Sequence, residues 1–538
     1  MTPGQRTARS GHTDVDTPVL VVGAGPVGAT LALELAHHGI TSVVVDRARH
    51  ASRHPKMDFL NARSMELLRR LGLTDAIRDR GVPADHEFTF MWMRDFTAPP
   101  VSRWSYPSVT EARATMAATN DGTQPLEPYQ RIIGSSLEQL GRERCAEHDL
   151  VDLRAGHVFE SLHQEDDAVR AEVVDSATGT RYSITARYLV ACDGANSAVR
   201  DAAGIGVDEF GPTRQHCITY FRSTDPALTR YGRFFLANTV AGLTLVSRDG
   251  TSTWTATFPI PEDEDFTGDP MPVIRQRLGV DIAVDEVMSV AQWRGRFGVA
   301  RSYRAGRVFL AGDAAHQFFP TGGHGANTGL GDAVDLGWKL AAVVSGWGGE
   351  RLLASYEAER QPVARFNREM SFNLLDVWRR FPTLAADGAT DAMLAGFLAQ
   401  DRYQINNIGI HFGYRYGRSP VVWPEDGAEP RWEWQQIVPT TWPGARLPSV
   451  RLANGRELHD LLGPELSLLD LSGAHAGKPI AEEAARIGLP LSYLVCDDEH
   501  VREVCERDLI LVRPDQHVAW RGNNAPESCH ELLGLIVG

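Results

Sequence analysis

The stretch Pro18-Val19-Leu20-Val21-Val22-Gly23-Ala24-Gly25-Pro26-Val27-Gly28 decides the fold. Its first five residues form a short apolar, β-branched run, the pattern of a strand buried on both faces of a parallel sheet. Gly23, Gly25 and Gly28 follow at once in the spacing G-x-G-x-x-G, and Ala29 to His38 reads as a helix with a small-residue face, stopped near Gly39. Thr41-Ser42-Val43-Val44-Val45-Asp46 supplies the next strand and closes a β-α-β unit of about 30 residues. The first glycine permits the tight turn, the second lets backbone approach a pyrophosphate, and the third lets helix and strand pack closely. The helix start, with Pro26 and Val27 in its first turn, offers free N–H groups and a partial positive charge to phosphates. Asp46, 18 residues after Gly28, is placed to accept a hydrogen bond from a ribose hydroxyl. The unit predicts a dinucleotide site. Taken alone it does not separate a flavin from a nicotinamide nucleotide, and a glycine turn without a ligand is the plainer alternative.

Outward from this unit, two later strands end in similar turns. Arg187-Tyr188-Leu189-Val190-Ala191-Cys192-Asp193-Gly194 runs into Asp-Gly, and Arg307-Val308-Phe309-Leu310-Ala311-Gly312-Asp313 runs into Gly-Asp. Asn61 to Leu71 predicts a helix with Gly72 as its stop, and Leu137 to Cys145 another. From Arg214 to Ile260 the pattern becomes β-rich around Asp249-Gly250, a hairpin signal. Alternation puts Trp254, Ala256 and Phe258 on one face of a strand and Thr253, Thr255 and Thr257 on the other. Pro83 to Thr123 shows little periodicity. A long helix follows the glycine-rich loop near Gly322, and helices continue to about Ala399. The expected organisation is a disordered tail over 1–16, a main region over 17–410 with a second sheet from about 83–130 and 214–290, a Pro- and Trp-rich linker over 411–447, and a small α/β module over 448–538.

Composition narrows the function classes. A chain of 538 residues exceeds what one core supports. A formal net charge of −15 argues against nucleic acid and anionic membranes as partners. No apolar run approaches the roughly 18 residues of a membrane span, and the N-terminus lacks the apolar core of a signal peptide, so a cytoplasmic protein is expected. The six cysteines are scattered, with no C-x-x-C, which predicts buried thiols rather than disulfides or a metal site.

The three turns together, in this order, resemble the class A flavoprotein monooxygenases, the family of para-hydroxybenzoate hydroxylase. The resemblance spans about residues 17–415 and is nearest to the phenol and aromatic polyketide hydroxylases, which add a C-terminal thioredoxin-like domain; Gly413-Tyr414-Arg415-Tyr416 and Arg513-Pro514-Asp515-Gln516-His517 look like parts of those longer members. It implies an α/β fold: a Rossmann-like FAD-binding domain interleaved with an antiparallel substrate sheet, plus the thioredoxin-like domain. The missing C-x-x-C argues against a redox role for that last domain.

The resemblance also implies roles. FAD would be the cofactor and NADPH or NADH the reductant, with oxygen transferred from a C4a-hydroperoxyflavin to a phenolic or polyketide ring. Gly23, Gly25, Pro26, Val27 and Gly28 would hold the pyrophosphate, Asp46 the adenosine ribose, and Arg47 would lie near the adenine. Asp193 would organise the pyrophosphate and reductant access, and Gly312 and Asp313 the ribityl chain. Pro320, Gly323, Gly325, Ala326 and Asn327 would wrap the ring edge, with a helix beginning near Asn327 aiming its positive end at the ring. His316 would be structural and His324 a loop-filling polar residue. Two departures stand out: Gly134 occupies the place of a glutamine that follows Arg131 in many relatives, and Lys56 stands where many have arginine. Arg131 and Lys56 remain candidate cofactor residues.

Substrate residues should come from the β-rich region and the flavin loop: His216, Tyr220, Arg222, Trp254, Phe318, Phe319 and Pro320, each of which is equally at home as a core or surface residue. A Baeyer–Villiger or epoxidising enzyme on the same scaffold is an alternative, as is a flavin-binding protein without catalysis. A disulfide reductase lacks its cysteine pair.

Overall fold

The computed structural model describes residues 15–54, 56–211, 213–262, 264–400 and 407–538. The N-terminal tail expected over 1–16 therefore lies almost wholly outside the described residues. The strand Thr17–Val22 sits in the middle of an eight-stranded sheet, paired in parallel with Ser42–Asp46 on one side and Arg181–Ala191 on the other. Arg181–Ala191 pairs in parallel with Val308–Leu310 in turn. Val22 lies opposite Ala191, and Ala191 opposite Leu310, so all three strands end at one edge of the sheet. The ladder continues one step into each turn: Gly23 N donates to Val45 O, Cys192 N to Val22 O and Ala311 N to Ala191 O, at 2.8, 2.8 and 2.9 Å. Register alone brings the three turns side by side, although the sequence separates them by more than a hundred residues each.

Helices cover this sheet. The first, Pro26–His37, is buried along most of its length against the 21-residue helix His324–Val344. Their close approach needs glycine on the second helix. A Cβ at Gly337 would meet Glu34 Cγ at 2.6 Å, and one at Gly329 would meet Val27 Cγ2 at 2.7 Å. Glu350–Ala386, 37 residues long with Pro362 and Pro382 inside it, spans from this core to the second sheet.

The second sheet has seven strands, in the order Glu286–Gly295, Arg214–Arg222, Thr253–Ile260, Thr244–Ser247, Leu236–Thr239, Phe88–Met93, Ser102–Tyr106. It is antiparallel except where Leu236–Thr239 runs parallel to Phe88–Met93, because the chain enters this sheet in two separate passes. Phe88–Met93 (FTFMWM) is buried at every residue, so its alternation is hidden in a continuous apolar run. Alternation elsewhere sorts the faces. Cys217, Phe221, Trp254, Ala256 and Phe258 pack under the helix Pro270–Leu278. His216, Tyr220 and Thr255 fall on the opposite face.

At the C-terminal end, Leu466–Asp470, Lys478–Arg486, Leu491–Val495, Glu499–Cys505, Leu509–Val512, Val518–Gly522 and Cys529–Val537 alternate as β-α-β-α-β-β-α. In chain order their four strands lie 2-1-3-4, with the first two parallel and the last two antiparallel, which is the thioredoxin-like arrangement. All described cysteines are free.

Candidate cofactor and substrate site

The three turns touch. Gly23 has φ +107°, and a Cβ there would lie 2.3 Å from Cys192 O; one at Gly28 would lie 1.9 Å from Gly23 O. Gly312, at φ +61°, rests on Val27, whose Cγ2 a Cβ would meet at 3.0 Å. These glycines are demanded by protein packing. Gly25 is different: its φ is −71°, open to any residue, and a Cβ there would meet nothing within 4 Å. It caps the first helix without a side-chain hydrogen bond, so the first-turn N–H groups, including those of Val27 and Gly28, have no intrahelical acceptor. A concave face with free donors at a helix start fits a pyrophosphate. Asp193 adds an orphaned acceptor: Oδ2 takes the Val199 N–H at 3.2 Å, while Oδ1 is buried without a partner. Burial pushes its carboxyl up, against hydrogen bonds from Ser197 and backbone.

Asp46 sits at the end of its strand but is already engaged. Its carboxylate accepts from Ala24 N at 2.6 Å and Ala48 N at 2.7 Å and pairs with Arg142 at 3.0 Å. It ties the glycine turn to the neighbouring strand, leaving one of about four lone-pair positions for a hydroxyl. Arg142, on the helix Gly134–Glu147, carries no motif and was not foreseen. Arg47 is exposed next to it.

Asp313 is exposed on its turn. Solvent reaches it, yet the surrounding protein raises its carboxyl above the usual range, against the positive charges of His316 and Lys56. No hydrogen bond holds it among the described residues, which suits it to a ribityl hydroxyl. The exposed Lys56 is thus near enough for its charge to act on this carboxyl. The turn bearing Asp313 is held from behind by Asp332, another residue the motifs did not announce. Asp332 accepts from Gly312 N at 3.1 Å, His316 Nε2 at 2.7 Å and Arg360 Nε at 2.8 Å. Burial would raise its carboxyl, but His316 and Arg360 outweigh that and hold it below the usual range. His316 is therefore a packed structural partner, stacked on Phe318 at 4.9 Å.

The glycine-rich loop is pinned at both ends. Thr321 Oγ1 donates to Ser371 O at 2.6 Å, and Ser371 Oγ to Phe319 O at 2.7 Å. Gly323 caps the following helix at φ +69°, so that helix starts at His324, three residues before the expected Asn327. Asn327 spends its whole amide on the protein: Oδ1 accepts from Asn61 N at 2.9 Å and Ser64 Oγ at 2.7 Å, and Nδ2 donates to Phe59 O and Gly323 O at 3.0 and 2.6 Å. Pro320 is exposed, and Gly323, Gly325 and Ala326 are partly exposed along the loop. His324 is buried, its Nδ1 without a partner, and burial lowers its ring to about 4.

Facing this loop is the second sheet. His216 stacks on its cross-strand neighbour Trp293 at 4.8 Å and meets Phe319 edge-on at 5.2 Å. A Cβ at Gly295 would strike Phe319 at 2.5 Å, so glycine there lets the loop dock on the sheet. Burial, partly offset by a hydrogen bond with Arg214 O, lowers His216 to about 4 and keeps it neutral near pH 7. Tyr220 lies on the same face. Its hydroxyl makes no hydrogen bond among the described residues, and burial raises its pKa. Around it a polar band joins His54 and Asp58 to the sheet. His54 Nδ1 bonds Ser289 Oγ at 2.9 Å, Arg248 Nε donates to Thr255 Oγ1 at 2.9 Å, and Arg248 pairs with Asp58. Arg131 belongs to this band and not to the glycine turn. It is buried, donates to Ser247 O at 2.5 Å and lies over Phe235 at 4.6 Å. Gly134 matters here because a Cβ would lie 2.7 Å from Met57 Cγ: the 56–58 segment fills the place of the missing side chain.

Two candidates lie elsewhere. Trp254 is on the opposite face, donating to Ser223 O at 2.9 Å, and Arg222 is exposed at the strand end, paired with Glu286 at 3.2 Å. Phe318 and Phe319 do border the loop.

The model of the FAD binding domain matches residues 16–370, and that of the aromatic-ring hydroxylase C-terminal domain matches 440–538. FAD-dependent monooxygenase apdD of Emericella nidulans is 34% identical, covering 94% of this chain and 87% of that protein. The 4-methyl-5-nitrocatechol 5-monooxygenase of a Burkholderia species is 31% identical, covering 97% and 96%. The structure of the rebeccamycin biosynthetic enzyme RebC with reduced flavin superposes with a TM-score of 0.87 at 34% identity, covering 98% of this chain and 100% of that one.

Proposed function

From the premise that this chain belongs to the FAD-dependent aromatic-ring monooxygenases, we infer that it hydroxylates a phenolic ring, alone or fused in a polyketide, using NADPH or NADH and dioxygen. The observation that carries the reading is the meeting of three strand-end turns at one sheet edge, opposite a second sheet whose facing side presents Tyr220 and the His216–Trp293–Phe319 stack.

When bound, FAD would supply the redox chemistry, hydride acceptance from the reductant and activation of dioxygen. The chain supplies position and field. Gly25 leaves room for the pyrophosphate against the N–H groups of the first helix, and Asp46 and Asp313 receive sugar and ribityl hydroxyls. Lys56 places a positive charge beside the phosphates and the Asp313 carboxyl. The first turn of His324–Val344 forms the second half of the 320–327 segment, and its partial positive charge would favour electron density on a ring held there. Tyr220 keeps its proton at neutral pH and donates to, or accepts from, the oxygen of a phenol. The aromatic wall of His216, Trp293 and Phe319 carries no charge and keeps water from the reacting ring. The expected boundaries of main region, linker and C-terminal module, 17–410, 411–447 and 448–538, form part of the same proposal.

A screen of phenols and hydroxylated polyketides that follows reductant oxidation together with product mass tests this function. Substrate-stimulated oxidation with a mass gain of one oxygen supports it. Stimulated oxidation yielding only hydrogen peroxide, across both classes, opposes it.

A further inference from the structure

The last residues before the final hairpin strand, Arg513 to His517, are buried far from any solvent-facing role. Arg513 is fully buried and binds Glu359 through both terminal nitrogens, at 2.7 and 2.8 Å, and Asp515 at 2.7 Å. Lys339 completes the cluster, reaching Asp335 at 2.7 Å and Glu359 at 2.5 Å. Each of these acids thus has a protein cation as its partner. Gln516 sits at φ +68°, a conformation few non-glycine residues adopt. It presents Oε1 to Arg63 Nη1 at 2.5 Å, while Asp515 O accepts from Arg63 Nη2 at 2.7 Å.

Both contacts lead to the cofactor loops. Glu359 is next to Arg360, which grips Asp332, which in turn holds Gly312 N. Arg63 is on the helix Ala62–Arg70, whose cap Asn61 and first-turn Ser64 both donate to Asn327, which fastens Gly323. One turn of the C-terminal module therefore grips two helices, one linked through Asp332 to the Gly312 turn and the other through Asn327 to Gly323. Buried ion networks are poor sources of net stability, because desolvation offsets their attraction; fixing one register is their better-attested use.

We propose that Arg513–His517 is a positioning device for the flavin site, with Gln516 and Arg63 as positioning residues that set the 320–327 loop. The C-terminal module then works by geometry and not by thiol chemistry. This rests on the flavin-binding reading above, and its readouts separate the two. FAD affinity of the wild-type protein tests that reading; the difference between variants tests this one.

The test compares Gln516→Leu, which removes the acceptor, with Gln516→Glu, which keeps it. FAD dissociation constant, hydrogen peroxide formed per reductant consumed, and thermal midpoint are measured for each. Gln516→Leu should bind FAD about tenfold more weakly and release a larger peroxide fraction, while Gln516→Glu stays near wild type on both. A folded Gln516→Leu with wild-type affinity and peroxide fraction overturns the proposal, as does an equal loss in Gln516→Glu. Should Gln516→Leu not fold, Arg63→Lys carries the same test, since a single ammonium lacks the planar fork that holds Gln516 and the Asp515 carbonyl on separate nitrogens. Unchanged affinity and peroxide fraction in that variant overturn the proposal equally.

Discussion

Replacing Gly25 with valine separates a glycine kept for a ligand from one kept for packing. Gly25 has φ −71° and ψ −177°, which valine adopts freely, and a Cβ there meets no atom within 4 Å. Loss of glycine at a helix cap costs about 0.5–1 kcal/mol. Reduced freedom of the unfolded chain returns about 0.4–1 kcal/mol. The apoprotein should therefore keep its stability within about 1 kcal/mol, a shift of a few degrees in thermal midpoint at most. Cofactor binding should suffer far more. A hydrogen bond to a charged acceptor contributes about 1.5–3 kcal/mol, so forcing the pyrophosphate from two N–H groups costs roughly 3–6 kcal/mol. At about 1.4 kcal/mol per decade, FAD binds some hundred- to ten-thousandfold more weakly. Gly28→Ala is the control: its Cβ lands 1.9 Å from Gly23 O, so apoprotein stability itself should fall, by about 1–3 kcal/mol. Fluorescence titration of apoprotein with FAD, beside thermal denaturation without it, reads both quantities. A Gly25→Val protein with wild-type FAD affinity would refute the reasoning.

Three further outcomes are expected. Asp313→Ala should weaken FAD binding by about tenfold, the value of roughly one hydrogen bond to a charged group; equal flavin content in wild type and variant after purification contradicts the role. Tyr220→Phe should raise KM for a phenolic substrate roughly fivefold, the loss of about 1 kcal/mol, with FAD affinity unchanged; an unaltered KM removes Tyr220 from the site. His38 bridges Glu34 at 3.2 Å and Glu465 at 3.0 Å, with Arg70 also on Glu34. Burial alone would lower His38, but the two carboxylates outweigh it and raise it to about 9. Because the folded protein holds this proton more tightly than the unfolded chain, the contribution is complete below the ordinary value of 6.5 and is lost as pH rises through about 9. At about 1.4 kcal/mol per unit it amounts to roughly 3 kcal/mol. Denaturant titrations of His38→Gln should show a shallower loss of stability across that window than wild type; parallel slopes contradict it.

Much of this site was legible because its signals are local. The glycine turn, the strand ends at Asp193 and Asp313, and the 320–327 loop each announce themselves within a dozen residues. Parallel register then forces them together. What was hidden depends on distant partners. Asp332 meets Arg360 across 28 residues, and Arg63 meets Gln516 across 453, and no periodicity links either pair. Alternation sorted Trp254 and Thr255 onto opposite faces of one strand but could not say which face meets the flavin loop. The covering helix Pro270–Leu278 decides that, and it buries Trp254. Asn327 illustrates a third limit: its position in the loop was read from the motif, while its fully engaged amide follows from Asn61 and Ser64 on another helix.

The most direct measurement is a diffraction map of the protein crystallised with FAD. The account predicts one FAD per chain, with its pyrophosphate against Gly25, its ribityl chain beside Asp313 and its ring along the 320–327 loop. Density that touches only one of these segments, or a folded protein that takes up no FAD, would contradict it.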